Sequence, residues 1–254
     1  MPPRDWNATA YERVSAPLEA MGRDVLDRLE LRGDERVLDA GCGTGRVTAA
    51  LLERLPAGEV VAVDGSPSMV DEARRRLGSR VEAFVSDLTE LELERPVDAI
   101  LSTATFHWIA DHDALFARLL AALRPGGRLV AQCGGEGNVA AVAAAARAVA
   151  ARPPFAPNLA GWAGPWRFAS PAETAARLRR LGFADVWTWR HVVDVSPEDP
   201  REYFATVMLG SHLERLPAGQ RHAYVEAVLA ALETPTVRYV RLNILARRPG
   251  ADAL

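Results

Sequence analysis

The run Val37-Leu38-Asp39-Ala40-Gly41-Cys42-Gly43-Thr44-Gly45, followed by a helical stretch over 46–54, constrains this chain more than any other. Apolar residues around one acid lead into three glycines at alternate positions. A buried strand, a tight turn and a helix N-terminus in succession produce that pattern. Glycine permits positive φ and lets a ligand approach the main chain closely. Dinucleotide-binding proteins share this outline, so the glycines alone do not discriminate. The spacing here is G-x-G-x-G, without the extra residue of the dinucleotide fingerprint. Asp39, two places before the first glycine, discriminates further. A carboxylate there repels a pyrophosphate but suits a ligand bearing an ammonium and a sulfonium. The turn therefore reads as a nucleoside-cation site, with S-adenosyl-L-methionine as the cofactor it fits.

At 254 residues, 49% hydrophobic and 25% charged, the chain can bury a full core in one soluble domain. Its net charge of −3 carries no global footprint for nucleic acid. All 30 basic residues are arginine, so anion recognition rests on bidentate forks instead of ammonium point charges. That composition, rich in Ala, Gly and Pro, suggests a GC-rich coding genome and a bacterial source. The two cysteines, Cys42 and Cys133, make no disulfide framework and fit a reducing compartment. No apolar run approaches membrane-spanning length, and the first residues lack an apolar signal core. These features predict a cytoplasmic protein, monomeric or homodimeric, with neither membrane nor nucleic acid as partner.

Residues 5–15 carry Trp6 and Tyr11 ahead of the first core pattern. They either pack on the surface or form a flap over a ligand, since amphipathic aromatics suit a boundary between dry and wet faces. A helix follows through about Leu29, with Leu18, Met21, Val25, Leu26 and Leu29 at helical spacing. Residues 59–66 form a β-branched run, a buried strand with Asp64 at its carboxyl edge. Asp64 lies nineteen residues beyond Gly45, near where such folds place the acid that grips two ribose hydroxyls. Pro67 opens the next helix, and Met69 on it is either core or a soft neighbour for an adenine edge. A third strand, 81–88, ends at Asp87, which either caps a helix or accepts from an adenine amino group beside the Leu88 amide. Strands over 97–103 and 128–133 flank a helix over 114–123 that stops at Arg124-Pro125-Gly126-Gly127. This alternation predicts a parallel sheet with helices on both faces and a ligand outside its carboxyl ends. Gly41, Asp64, Asp87 and Thr103 all fall at those ends.

Beyond Gly134 the pattern changes to an alanine-rich helix over 138–151, an aromatic loop over 161–168, and a helix with Ser170 as N-cap. A strand over 184–195, helical stretches over 200–215 and 220–233, and a last strand over 236–246 complete the chain. The pieces 134–170 and 197–234 read as additions over the sheet's ligand edge. In the last strand Arg241 sits in a stretch otherwise suited to burial, and a buried arginine needs a partner. That partner is either a structural acid or a substrate carboxylate.

The glycine turn, Asp64, Asp87 and the Pro-Gly-Gly turn together resemble the class I S-adenosylmethionine-dependent methyltransferases. Asp5-Trp6-Asn7 with Tyr11, the stretch Phe106-His107-Trp108-Ile109-Ala110-Asp111-His112, and the ending Val240 to Arg248 narrow the resemblance to the trans-aconitate methyltransferase-like group. It is firm over 35–135 and loose over 134–235, where that group reads its substrate. The resemblance implies a seven-stranded, Rossmann-like, doubly wound α/β sheet with added helices over the ligand edge. Residues 1–30 would be an N-terminal lid and first helix, 31–135 the cofactor-binding core, and 136–254 the remaining strands with a helical substrate cap, in one domain overall. Asp39, Gly41 and Gly43 would hold the methionine part of the cofactor with Thr103 beside it, Asp64 the ribose, and Met69, Asp87 and Leu88 the adenine. Cys42, Gly65 and Ser66 complete the two turns, and Trp6, Tyr11 and Arg13 would close over the ligand. His107 and Trp108 would border the methyl donor on the substrate side, though His107 stands where the group's namesake enzyme carries an uncharged amide; Arg241, singled out by the burial pattern of the last strand, joins them on the catalytic side.

Methyl transfer from a sulfonium is an in-line displacement, governed mostly by positioning. A carboxylate acceptor is already ionised at neutral pH and needs no base. A hydroxyl or amine acceptor needs one, and His107 is then the natural choice. The expected function is methylation of a small anionic acceptor on a carboxylate oxygen, with no metal. The alternatives are an O- or N-methyltransferase using His107 as base, an NAD-dependent oxidoreductase, which Asp39 opposes, and a non-catalytic S-adenosylmethionine-binding protein.

Overall fold

The β-branched and apolar runs become seven strands in the computed structural model, which describes residues 3–250. They are β1 (Arg36–Ala40), β2 (Glu59–Asp64), β3 (Val81–Val85), β4 (Val97–Thr103), β5 (Leu123–Gly134), β6 (Ala184–Val195) and β7 (Val237–Arg247). They form one sheet in the order β3-β2-β1-β4-β5-β7-β6, so the chain reverses direction across the sheet between β1 and β4. The outer ends of the expected divisions, residues 1–2 and 251–254, lie outside the described residues.

The sheet is not wholly parallel, which corrects the expectation from the alternation. β7 pairs antiparallel with both β5 and β6. Val195, at the end of β6, lies opposite Val237, at the start of β7. The intervening chain thus stays at the carboxyl end of the sheet instead of crossing a face, and a strand returning from that end runs backwards. β3 also stops at Val85, three residues earlier than expected, as the chain turns towards Asp87.

Eleven helices can be followed among the described residues: α1 (Ala8–Val14), α2 (Ala16–Leu26), α3 (Arg46–Glu53), α4 (Pro67–Leu77), α5 (His112–Ala122), α6 (Ala140–Ala150), α7 (Ala156–Leu159), α8 (Pro171–Arg180), α9 (Pro200–Tyr203), α10 (Gly210–Glu214) and α11 (Ala218–Ala230). Adjacent strand residues point to opposite faces and both are buried, as in Val37 and Leu38 or Val60 and Val61. One face packs against α2, α3 and α4 through Val25, Leu26, Leu51 and Leu77. The other packs against α5 and α8 through Leu115, Phe116, Leu119 and Leu178. Burying each of these leucines contributes about 1.5–3 kcal/mol. A third cluster lies over the carboxyl edge, where Tyr203, Phe204, Tyr224 and Val149 pack on Val237 and Tyr239 of β7. Side-chain caps explain several helix starts. Ser66 Oγ accepts from the Met69 amide, Asp111 from the Asp113 and Ala114 amides, and Ser170 from the Glu173 amide. The Asp111 cap starts α5 two residues earlier than periodicity suggested. No helix among the described residues is long and apolar enough to cross a membrane.

Candidate active site

The carboxyl ends of β1, β2 and β4 open into a cavity of about 710 Å³. One half is walled by Gly41, Gly43, Asp64, Met69, Asp87 and Leu88, and the other by His107, Trp108, Trp166, Met208 and Arg241. Trp6 and Tyr11 cover the junction, and Thr103 lies on its floor.

The glycine turn takes its shape from steric necessity. Gly41 has φ +86°, and a Cβ there would lie 2.0 Å from Thr105 Oγ1. Gly43 has φ +54°, and a Cβ there would meet nothing within 4 Å, so its main chain faces open space. Asp64 braces this turn, accepting from the Gly43 amide at 3.0 Å through Oδ2 and from the Ser66 amide at 2.9 Å through Oδ1. A carboxylate has about four acceptor sites, so capacity remains for a hydroxyl in the cavity. Burial raises the Asp64 pKa, and the Ser66 and Gly43 amides oppose that shift. Asp87 Oδ1 accepts from the amide and hydroxyl of Thr89 while its residue still lines the cavity. It therefore fills the local capping role and keeps a place on the wall.

Asp39 lies beneath the turn and does not line the cavity. Its Oδ2 accepts from Thr48 Oγ1 at 2.7 Å, and its Oδ1 is buried without a partner. Burial pushes its pKa up to about 6, against the lowering effect of Thr48. A buried carboxylate oxygen left without a hydrogen bond costs about 1–3 kcal/mol, and a positive ligand group above the turn offsets that cost. The orphaned oxygen of Asp39, the open face at Gly43 and the remaining acceptor capacity of Asp64 all fit S-adenosylmethionine.

Cys42, Gly65 and Ser66 act through the backbone. Cys42 is buried under the turn, and its amide, like that of Gly41, donates to Val63 O. Gly65 lacks the Cβ that would lie 2.4 Å from Pro3, which lets the N-terminal segment press on the end of β2. Ser66 Oγ accepts from the Trp6 amide at 3.0 Å and donates to Asp5 at 2.6 Å. Further along that segment Glu12 pairs with Arg46 at 2.8 Å and Arg76 at 2.6 Å and accepts from Thr44. Arg4 pairs with Glu214 of α10 at 2.5 Å. The segment thus joins the glycine-turn half to the opposite cap. Arg13, expected to close over the ligand, instead faces outward from α1 and pairs with Glu202 at 2.5 Å, away from the cavity wall.

On the other half, His107 is 7% exposed and its Nδ1 accepts from the Gly134 amide at 3.2 Å. That bond assigns the proton of the neutral ring to Nε2, which makes Nε2 a donor. Burial, and secondarily Arg241, hold the His107 pKa well below the usual value. Arg241 is 2% exposed and lines the cavity, and its Nε donates to Gln132 Oε1 at 3.0 Å. Among the described residues no acid pairs with it, so the structural-acid alternative does not hold.

No motif or spacing in the sequence points to Gln132 and its neighbour Asn243. Gln132 Nε2 donates to Asn243 Oδ1 at 2.9 Å, and Asn243 also accepts from Arg28 and meets His191 Nδ1 at 2.9 Å. Both residues are buried at the β5–β7 contact, where they lie directly opposite one another. A polar residue within an apolar strand run was the only local signal. Gln132→Leu should free the Arg241 fork and lower kcat/KM for the acceptor about tenfold, about 1.4 kcal/mol. Calorimetry should show unchanged cofactor affinity; unchanged kinetics would mean that other contacts set the position of Arg241. Two further wall residues, Ala104 and Val139, hold φ of +56° and +46°, backbone strain of the kind that clusters at functional sites.

Known proteins agree with this geometry. Residues 37–127 match the family model described as a methyltransferase domain. The trans-aconitate 2-methyltransferase of Methylobacterium nodulans is 36% identical over 191 residues, 74% of this chain and 73% of that one. That of Methylobacterium radiotolerans is 34% identical, over 73% of this chain and 72% of its own. Haemonchus contortus phosphoethanolamine N-methyltransferase 2, solved with S-adenosyl-L-methionine, shares the fold at a TM-score of 0.63 and 20% identity, over 95% of this chain and 56% of that chain. A doubly wound sheet with a glycine turn and a ribose-type acid at its switch point is the architecture of a class I methyltransferase. This chain belongs to the S-adenosylmethionine-dependent methyltransferases, in the group of the trans-aconitate 2-methyltransferases.

Proposed function

We propose that this methyltransferase esterifies a carboxylate oxygen of a small organic acid, of the kind that trans-aconitate represents among its relatives. One observation carries the proposal: Arg241 is a buried guanidinium on the cavity wall whose sole hydrogen bond among the described residues goes to the neutral Gln132. A desolvated cation without a counter-ion attracts an anionic ligand strongly, and an arginine fork matches a carboxylate. His107 Nε2–H supplies a second donor on the same wall. The net charge of −3 supports a small acceptor over a nucleic acid.

In this proposal Asp64 takes the ribose hydroxyls, Met69, Asp87 and Leu88 border the adenine, and Gly41, Gly43 and Thr103 border the methionine portion. Asp39 supplies negative charge from below the turn. Held by these residues, S-adenosylmethionine would supply a sulfonium methyl for in-line transfer to the acceptor oxygen, the electron pair of the broken C–S bond staying on sulfur. Arg241 and His107 orient the acceptor carboxylate. Trp6, Tyr11 and Trp108 exclude water around the reacting atoms.

The His107 proton on Nε2 opposes a base role. With its pKa held low the ring stays neutral, and the acceptor carboxylate is already ionised. Methyl-ester formation from trans-aconitate should therefore show a kcat/KM nearly flat between about pH 6.5 and 8.5. A rate rising through a histidine-like pKa, with phenols or amines as the productive acceptors, would falsify the carboxylate assignment.

A further inference from the structure

The carboxylate proposal assigns one end of the acceptor to Arg241 and His107, and a second cation reaches the same cavity from the N-terminal segment. Arg4 lines its wall together with Glu214 of α10. The Arg4 Nε donates to Glu214 Oε1 at 2.5 Å, and the side chain is only 19% exposed. Among the described residues its terminal nitrogens have no acceptor, and Nη1 is buried in that state. A buried N–H without a partner costs about 1–3 kcal/mol, more on a charged group, and an anion brought into the cavity offsets that cost. The place of this guanidinium is built from three sides. Gly210 opens α10, and a Cβ there would lie 2.1 Å from Arg4 Nη2, so the guanidinium sits in the notch that this glycine leaves. The Trp6 ring lies against it at 4.2 Å and meets Trp108 edge-on at 5.0 Å, which ties it to the wall that carries His107. Asp5, the next residue, accepts from Ser66 Oγ at 2.6 Å and from the Ser68 amide at 3.0 Å, which fixes the backbone that carries Arg4. A cation anchored in this way loses little further freedom when it takes up an anion.

Arg215 also lines the cavity and has no ion pair among the described residues, but it is exposed and lies over the Trp162 ring at 4.7 Å. Water and salt screen an exposed cation, so its part in holding an acceptor is the smaller one. Glu214 offsets part of the Arg4 charge and repels an anionic acceptor from the same wall. Removing Arg4 and removing the Glu214 charge therefore act in opposite directions on an acid that uses Arg4. On a pair that only holds the segment in place, they act in the same direction.

Resting on the carboxylate proposal, we infer that Arg4 is a specificity-determining residue, which receives a second carboxylate of the acceptor while Arg241 and His107 hold the one to be methylated. The N-terminal segment then selects acids with at least two carboxylates. The test is methyl-ester formation by the full chain from trans-aconitate, with the monocarboxylate crotonate read by its inhibition constant. Arg4→Met should lower kcat/KM for trans-aconitate at least tenfold. Gly210→Ala, whose Cβ evicts the guanidinium but keeps its charge on the chain, should do the same. In both variants crotonate inhibition and the S-adenosylmethionine Kd by calorimetry should stay within threefold of the parent. Glu214→Gln keeps an acceptor for Nε and removes the competing charge, so kcat/KM for trans-aconitate should rise at least twofold. Losses of equal size from Arg4→Met and Glu214→Gln would make the pair a latch for the segment and overturn the inference. Parental turnover of trans-aconitate in folded Arg4→Met and Gly210→Ala also overturns it. So does crotonate inhibition that weakens in step with turnover, or a larger loss from Arg215→Met than from Arg4→Met. All of these leave the carboxylate proposal standing. Absence of ester from trans-aconitate and crotonate alike overturns both.

Discussion

Arg241→Ala is expected to lower kcat/KM for the acid acceptor by about one to three orders of magnitude, about 1.4–4 kcal/mol, while cofactor affinity stays as it is. The guanidinium is buried against Gln132 and within 5.7 Å of the Tyr239 ring, on the wall opposite the cofactor half. Burial lowers its pKa, so holding this charge in place costs the unliganded fold free energy. Exchanging a buried unpaired charge for an apolar side chain of similar volume is often neutral or stabilising. Arg241→Met should therefore melt no lower than the parent while losing acceptor turnover to a similar degree. A variant that melts much lower and turns over normally once folded would make Arg241 a packing residue. Steady-state kinetics, calorimetry with S-adenosylmethionine and a thermal melt separate the two outcomes.

Asp64→Ala is expected to weaken S-adenosylmethionine binding by about 1.5–3 kcal/mol, the scale of a charge-assisted hydrogen bond lost. That corresponds to roughly 10–150-fold in Kd. Asp64 also accepts from the Gly43 and Ser66 amides, so part of the loss comes from a loosened turn. Asp64→Asn keeps the shape, removes the charge and sets an amide against one of those donors; it should fall between the parent and the alanine variant. The effect on folding has the opposite sign. Burial raises the Asp64 pKa above its unfolded value, so the native chain binds the proton more tightly and its stability rises as pH falls towards that pKa. Removing the carboxylate should not greatly lower the melting temperature at neutral pH. An unchanged Kd in a folded variant would remove Asp64 from the cofactor site.

Much of the cofactor half was legible in order along the chain. The strand-turn-helix around Gly41 and Gly43, the acid ending β2 and the cap at Ser170 depend on neighbouring residues, and the structure places all of them where local pattern predicted. Residues 8–14 were legible only as an aromatic segment. They form α1, capped by Asn7, because Tyr11 and Val14 pack against the cluster over the carboxyl edge. The outward turn of Arg13 follows from the face on which that short helix docks, which no local pattern specifies.

The acceptor half was legible only in part: His107, Trp108 and Arg241 were expected there and line the cavity, but the rest of the wall was not. His107 and Trp108, Trp162 and Trp166, and Met208 come from three distant stretches that share no period, and they form a wall only because the chain after β4, between β5 and β6, and between β6 and β7 meets at the carboxyl edge. The same path makes β7 antiparallel and sets Gln132 opposite Asn243, the register that holds Arg241. The sequence by itself determined the strand-and-helix alternation, the glycine turn and the acids at the strand ends. Each of those follows from backbone freedom and burial period over a few consecutive residues. Tertiary structure alone decided the antiparallel strand, the Gln132–Arg241 contact and the indole wall. These rest on register and ring packing between segments far apart in the chain, where the free energy comes from surfaces brought together only by the complete fold.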